Sequence, residues 1–193
     1  VGNSFLAVYA DDFIAGFQYK EDAERYYALL KERLKKFNLE LEESKSRMIE
    51  FGKYAEINSK RKYGRKAETF NFLGFTLYCG KSRHSGEFCV KLKTNSKKFT
   101  QKLKQTKEWL YQNNDLPVKD LITRLNKKLV GHYRYYGVSH NINKLSAFLH
   151  YVQRYLVKVL NRRSHKKSYT WDGYIDMLKV YPLAKPKIYV KLF

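Results

Sequence analysis

Cysteine is nearly missing from this 193-residue chain. Its two thiols, Cys79 and Cys89, cannot build a disulfide framework or a four-ligand zinc site. No stretch of ~18 apolar residues occurs, which excludes a helical membrane span, and no signal-peptide pattern opens the sequence. A cytoplasmic protein with no membrane partner is the expectation. Acidic residues are scarce too, 18 Asp+Glu against 39 Lys+Arg. Hydrophobic residues are not scarce. At 44% they are enough for a real core, in one large domain or two small ones, and they exclude a disordered tail.

The charge is unevenly placed. Residues 1–60 hold 10 Lys+Arg and 11 Asp+Glu, a net −1, whereas residues 61–193 carry a net +22. A folded domain of that charge repels itself and calls for a polyanion, either nucleic acid or an anionic membrane surface. Many of the 17 Tyr and 12 Phe lie among these cations. Rings interleaved with cations suit unpaired bases and phosphates better than lipid, so nucleic acid is the favoured partner.

Residues 3–9 and 13–19 read as two strands of a hairpin, with Asp11 and Asp12 at its tip. Apolar positions Ala23, Tyr26, Tyr27, Leu30, Leu34 and Phe37 predict an amphipathic helix over 21–37. A strand is expected at 48–51, a polar loop at 52–68 and a strand at 70–78, with Gly74 marking a bend or close backbone approach. A turn at 80–86 precedes an alternating strand at 87–93. Were that hairpin centred near His84, Cys79 would face Cys89 and a cross-strand disulfide could form; two reduced thiols are the alternative. Helices follow at 95–112, from Pro117 to about 136 with Gly137 closing it, at 142–161 with Asn141 as its cap, and near 171–179. An extended tail covers 181–193. The fold class is therefore α+β: an N-terminal mixed part, residues 1–93, followed by a basic helical bundle, residues 94–193.

The sharpest chemical signal is Tyr9-Ala10-Asp11-Asp12. Adjacent carboxylates at a hairpin tip suit a pair of Mg²⁺ ions, which prefer oxygen ligands and serve two-metal phosphoryl transfer. An acidic turn would also place Asp there. The stretch Phe5-Leu6-Ala7-Val8-Tyr9-Ala10-Asp11-Asp12-Phe13 resembles the catalytic hairpin of reverse transcriptases. Leu125-Asn126-Lys127-Lys128-Leu129-Val130-Gly131-His132-Tyr133-Arg134-Tyr135-Tyr136-Gly137 resembles the maturase (X, or thumb) region of bacterial group II intron reverse transcriptase/maturases. Leu160-Asn161-Arg162-Arg163-Ser164, Tyr169 to Tyr174 and Pro182 to Tyr189 resemble the segments that follow in that family.

The resemblance implies the C-terminal part of a reverse-transcriptase palm, over residues 1–93, and a thumb/maturase RNA-binding bundle over 94–193. It implies that Asp11 and Asp12 are catalytic aspartates and ligands of a two-Mg²⁺ site. Lys45, in Ser44-Lys45-Ser46, would protonate the leaving pyrophosphate. Tyr9 and Ala10 would lie beneath the primer end and incoming nucleotide. Phe72, Leu73 and Gly74 resemble a primer-grip turn, in which glycine lets backbone approach the primer. The basic residues expected to meet RNA are Lys97, Lys98, Lys127, Lys128, Arg134, Arg162, Arg163, Lys166 and Lys167. Tyr133, Tyr136 and His132 are expected to pack inside.

The family places a third metal-binding aspartate and the fingers upstream of the hairpin, and the eight residues before Tyr9 hold neither. The expectation is a fragment, inactive alone, of an RNA-directed DNA polymerase. The parent would bind group II intron RNA, assist splicing and copy an RNA template from a DNA primer with dNTPs, in bacterial cytoplasm at the nucleoid or in a ribonucleoprotein. The alternative is a non-catalytic RNA-binding maturase, a splicing cofactor. A defence or CRISPR-associated reverse transcriptase is a third reading.

Overall fold

The computed structural model describes residues 2–82, 85–163 and 169–192. It forms two compact units, Val1–Glu68 and Thr69–Phe193. Among the described residues there are six helices, one two-stranded and one three-stranded antiparallel sheet, an α+β composition as the sequence predicts.

In the first unit, β1 (Ser4–Tyr9) and β2 (Asp12–Phe17) pair antiparallel with Tyr9 opposite Asp12. Phe5 lies opposite Gly16, where any Cβ would sit 2.1 Å from the Phe5 ring, so glycine makes room for that cross-strand contact. Helix α1 (Lys20–Lys35) packs on β2, with the Phe17 and Tyr26 rings 5.1 Å apart. Glu21 and Asp22 at its start and Arg33 and Lys35 at its end complement the helix dipole.

Two expectations fail here. Residues 48–51 are not a strand: the segment runs as irregular chain, and no strand among the described residues offers it a ladder. Residues 52–68 are not all loop, because Ala55–Tyr63 forms helix α2. Its apolar periodicity is too weak to see. The helix is held instead by its ends: Lys60, Arg61 and Lys62 occupy the last turn, and Gly64 follows at φ 64° with its N–H on the Lys60 carbonyl. Ala55 and Ser59, one turn apart, are its buried side.

The second unit opens with a three-stranded meander, β3 (Phe70–Phe72), β4 (Phe75–Lys81) and β5 (Phe88–Thr94). The expected single strand over 70–78 is thus a hairpin. Leu73 (φ 48°) and Gly74 (φ 76°) both take positive φ, as a two-residue type I′ turn requires. The β4–β5 register pairs Cys79 with Val90 and Cys89 with Gly80. Being one position out of step, the two cysteines point to opposite faces, and neither is in a disulfide; the cross-strand disulfide is not formed.

Helices α3 (Ser96–Gln112), α4 (Val118–Tyr136), α5 (Ile142–Asn161) and α6 (Trp171–Val180) follow. Asn95 caps α3, its side-chain oxygen accepting from the Lys97 and Lys98 N–H groups. Pro117 precedes α4, where its missing N–H is harmless. The core runs along the predicted stripes: Phe99, Leu103 and Leu110 of α3; Leu121, Leu125, Leu129 and Tyr133 of α4; Leu145, Phe148, Val152 and Leu156 of α5.

Two residues expected as ordinary caps act otherwise. The Asn141 side chain makes no cap hydrogen bond to α5. Fully buried, it accepts from the Thr94 N–H (2.9 Å) and donates to the Thr94 hydroxyl (2.8 Å) and the Tyr136 carbonyl (2.9 Å), tying sheet to helix. Gly137 ends α4 at an ordinary φ of −79°. It is glycine because a Cβ would lie 2.3 Å from the Tyr133 carbonyl and 2.6 Å from that of Lys187 in the returning tail. The tail is held at Asn126 as well, which donates to the Pro182 carbonyl and accepts from the Ala184 N–H.

Candidate functional site

The first unit carries the carboxylates. The β1–β2 tip is a two-residue turn, Ala10-Asp11, with Asp12 already in β2. Ala10 is held at φ 50°, a left-handed value that costs a non-glycine residue about 1–2 kcal/mol. Tyr9, Ala10, Asp11 and Asp12 are all exposed. No side-chain hydrogen bond or ion pair among the described residues engages either aspartate. As hard oxygen donors they suit Mg²⁺. A cation bound by protein alone wants more ligands, and the described residues gather no group of three His, Cys, Asp or Glu.

Lys45 lies exposed in the turn after Glu42. Its N–H donates to the Glu42 carbonyl. The Glu42 carboxyl titrates below its ordinary value, first because the Ser44 hydroxyl and N–H donate to it and then because of the Lys45 charge. The lysine thus has a local partner and makes no described contact with Asp11 or Asp12.

The second unit brings together two motifs far apart in sequence. Leu73 and Gly74 form the β3–β4 turn, and the Tyr135 hydroxyl donates to the Leu73 carbonyl at 3.0 Å. A Cβ on Gly74 would lie 3.0 Å from the Tyr136 hydroxyl. Between them the Phe75 ring stacks on Tyr135 (6.1 Å, 9°) and meets the edge of Tyr136 (5.2 Å). The Phe72-Leu73-Gly74 turn is therefore anchored by the last turn of α4.

Cations and rings alternate over the helices. Lys97 and Lys98 project from the first turn of α3; Lys127, Lys128 and Arg134 are exposed on α4. The Lys128 ammonium sits over Trp109 at 4.9 Å. Arg162 lies over Tyr111 at 4.9 Å, and Lys107 is 5.9 Å from both Tyr111 and Tyr155. Such pairs hold long side chains in place while their charge stays accessible. Arg163 differs: it is half-buried, its Nε and one Nη have no partner, and burial lowers its pKa. Lys166 and Lys167 lie outside the described residues.

Inside α4, Tyr133 and Tyr136 are buried as expected, and burial raises both phenol pKa values. His132 is 8% exposed and stacks on Phe148, with ring centroids 3.9 Å apart. Neither of its ring nitrogens has a partner. Burial, aided by the Lys102 charge, pushes its pKa down to about 4. His132 floors a groove of about 500 Å³ shared by α3, α4 and α5, with Lys102, Lys127, Lys128 and Gly131 also lining it. Sequence reasoning overlooked Lys102 and Gly131. A glycine in the body of a strongly amphipathic helix was the available signal.

Residues 2–77 match the reverse transcriptase (RNA-dependent DNA polymerase) family, and residues 96–174 match the group II intron maturase-specific domain. The aspartate hairpin falls in the first match, and the stretch from Lys97 to Arg163 in the second. No curated protein and no solved structure matches the chain. No helix among the described residues is long and apolar enough to cross a membrane.

Proposed function

The chain belongs to the group II intron reverse transcriptase/maturases, and on that premise we propose a division of labour along it. Reverse transcription and maturase action in intron mobility are the work of its two domains. Residues 1–93 are the C-terminal part of the palm. Asp11 and Asp12 are two of its Mg²⁺ ligands, Tyr9 and Ala10 lie against primer and dNTP, and Lys45 is the general acid. Phe72, Leu73 and Gly74 grip the primer strand. Residues 94–193 are the thumb/maturase part. It holds intron RNA and template–primer through Lys97, Lys98, Lys127, Lys128, Arg134, Arg162 and Arg163.

The observation that carries the catalytic half is the tip itself. A strained two-residue turn presents adjacent, exposed, unpaired carboxylates on a fixed ladder. When bound there, Mg²⁺ ions would activate the primer 3′-hydroxyl and offset charge on the leaving pyrophosphate. The chain's own contribution is the fixed spacing of Asp11 and Asp12, which the Tyr9–Asp12 pairing enforces. The RNA half rests on the net +22 of residues 61–193 and on cations pinned over Trp109 and Tyr111.

A second reading has its own observation. The described residues bring no third metal-binding group to Asp11 and Asp12. This chain by itself would then be an RNA-binding splicing cofactor. Primer extension on an RNA template with Mg²⁺, beside an Asp11→Ala control, separates the two. RNA binding by both proteins with extension by neither is the result that the second reading predicts for this chain alone. Extension lost in Asp11→Ala would mean that the metal site is completed within this chain or between copies of it.

A further inference from the structure

Helices α3 and α5 share a seam on which rings and cations alternate. Phe99 meets Tyr151 with ring centroids 6.4 Å apart, Lys107 lies 5.9 Å from Tyr155, and Arg162 lies 4.9 Å from Tyr111. The partners advance together along both helices, so α3 and α5 run side by side in the same direction. From Lys144 to Arg162 the seam extends about 27 Å, at roughly 1.5 Å per residue. Its cations are held at both ends. The Lys144 ammonium sits over Phe99 at 5.1 Å, and Lys107 and Arg162 sit over Tyr111.

Between those ends stands Tyr151, which is 42% exposed. Its ring meets Phe99 and His150 at steep angles, 74° and 69°, and no cation or parallel ring covers it among the described residues. Packing does not call for it, because the buried stripe of α5 is Leu145, Phe148, Val152 and Leu156. Carboxylates leave the seam clear as well. Helix α5 has no Asp or Glu, and the one carboxylate of α3, Glu108, lies 3.9 Å from the Lys104 ammonium.

We propose that this seam is a track for single-stranded RNA: one unpaired base stacks on Tyr151, with phosphates to one side on Lys144 and to the other on Lys107 and Arg162. The inference rests on the RNA-binding reading above and deepens it, by naming the form of RNA and the ring that meets it. A cation already placed over a ring loses less freedom when it meets a phosphate. An exposed ring adds binding only where a base offers a free face. Inside a duplex each base face is covered by its neighbour, so duplex RNA could use the cations but not Tyr151. Every base has a π-face, so the stack selects no sequence.

The test uses the full chain with two probes: a single-stranded RNA oligomer containing 5-iodouridine, and an RNA duplex of equal length with the same label in a base pair. Near-ultraviolet light joins iodouridine to an aromatic ring stacked on it. The single strand should crosslink to the wild-type peptide that contains Tyr151, and the duplex should not. Tyr151→Leu keeps an apolar contact with Phe99 and removes the stacking face. It should weaken single-strand binding about tenfold and leave duplex affinity within about twofold. Tyr151→Phe should restore single-strand binding to within about twofold of wild type, since stacking needs the ring and not the hydroxyl. A bound single strand with no crosslink at Tyr151, or a Tyr151→Leu variant that weakens both RNAs alike or neither, would overturn the track and spare the RNA-binding reading. Wild-type protein that binds neither RNA would sink both. The wild-type crosslink needs no variant to fold.

Discussion

The hairpin unit leaves Phe5, Leu6, Val8 and Tyr9 more than half exposed, while the helical unit encloses Leu121, Leu125, Leu145, Val152 and Leu156 completely. In the first unit the buried residues among those described are Ala55 and Ser59 alone. A two-stranded hairpin covered only in part, by α1 against β2, is lightly held. The chemistry-bearing carboxylates thus stand on the lightly held part of the chain, and the charge-bearing surface on the firmly held part. Local stability differs accordingly: amides of β1 and β2 should exchange with solvent well before those of α4 and α5.

The largest expected contrast is in the cores. Leu125→Ala should cost about 2–5 kcal/mol in denaturant unfolding, because Leu125 is fully enclosed. Leu6→Ala should move the same transition by less than about 0.5 kcal/mol. Both tryptophans, Trp109 and Trp171, lie in the helical unit, so tryptophan fluorescence, excited selectively, reports that unit alone. Equal effects would erase the distinction between the units.

Next comes the clamp. Asn141→Leu breaks three hydrogen bonds and strands the buried Thr94 N–H, while the Tyr136 carbonyl keeps the Val138 N–H. A loss of about 3 kcal/mol is expected by chemical denaturation. Asn141→Ala should do no better, since a lost helix cap is not the cause.

A smaller effect follows from His132, whose pKa is held down to about 4 in the folded unit and returns to 6.5 when unfolded. Between those values the unfolded chain binds the extra proton, so stability falls as pH drops from about 6.5 to 4. The loss should be on the order of 2 kcal/mol at pH 4, and melting curves of His132→Phe across that window should lack this component. The smallest change should be a gain: Gly131→Ala should stabilise the helical unit by about 0.5–1 kcal/mol in the same melts.

The sequence made the helices of the second unit legible because each buries one stripe at period 3.6 and is bounded by Asn95, Pro117 or Asn141. It made the aspartate tip legible because Asp11 and Asp12 interrupt two apolar runs. It hid α2, whose stability comes from end effects instead of an apolar face. It hid the β3–β4 turn, because leucine at a positive φ in Leu73 is not a turn signal of the Asn-Gly kind. The one-residue offset of Cys79 and Cys89 turned on loop length, which composition does not fix. The groove was invisible because it joins Lys102 to His132 across two helices, and only packing brings them together.

The central claim is that RNA is held electrostatically by the helical unit and not by the hairpin. Its most direct test is the affinity for single-stranded RNA measured across a salt series. The wild-type chain, Asp11→Ala and Lys127→Ala/Lys128→Ala should be compared. The account predicts a steep, linear loss of log affinity with log salt, unchanged by Asp11→Ala. The double lysine variant should have a shallower slope by about 1.4, its two phosphate contacts contributing roughly 0.7 each. A slope near zero, or one that the lysine variant leaves intact while Asp11→Ala alters it, would contradict the account.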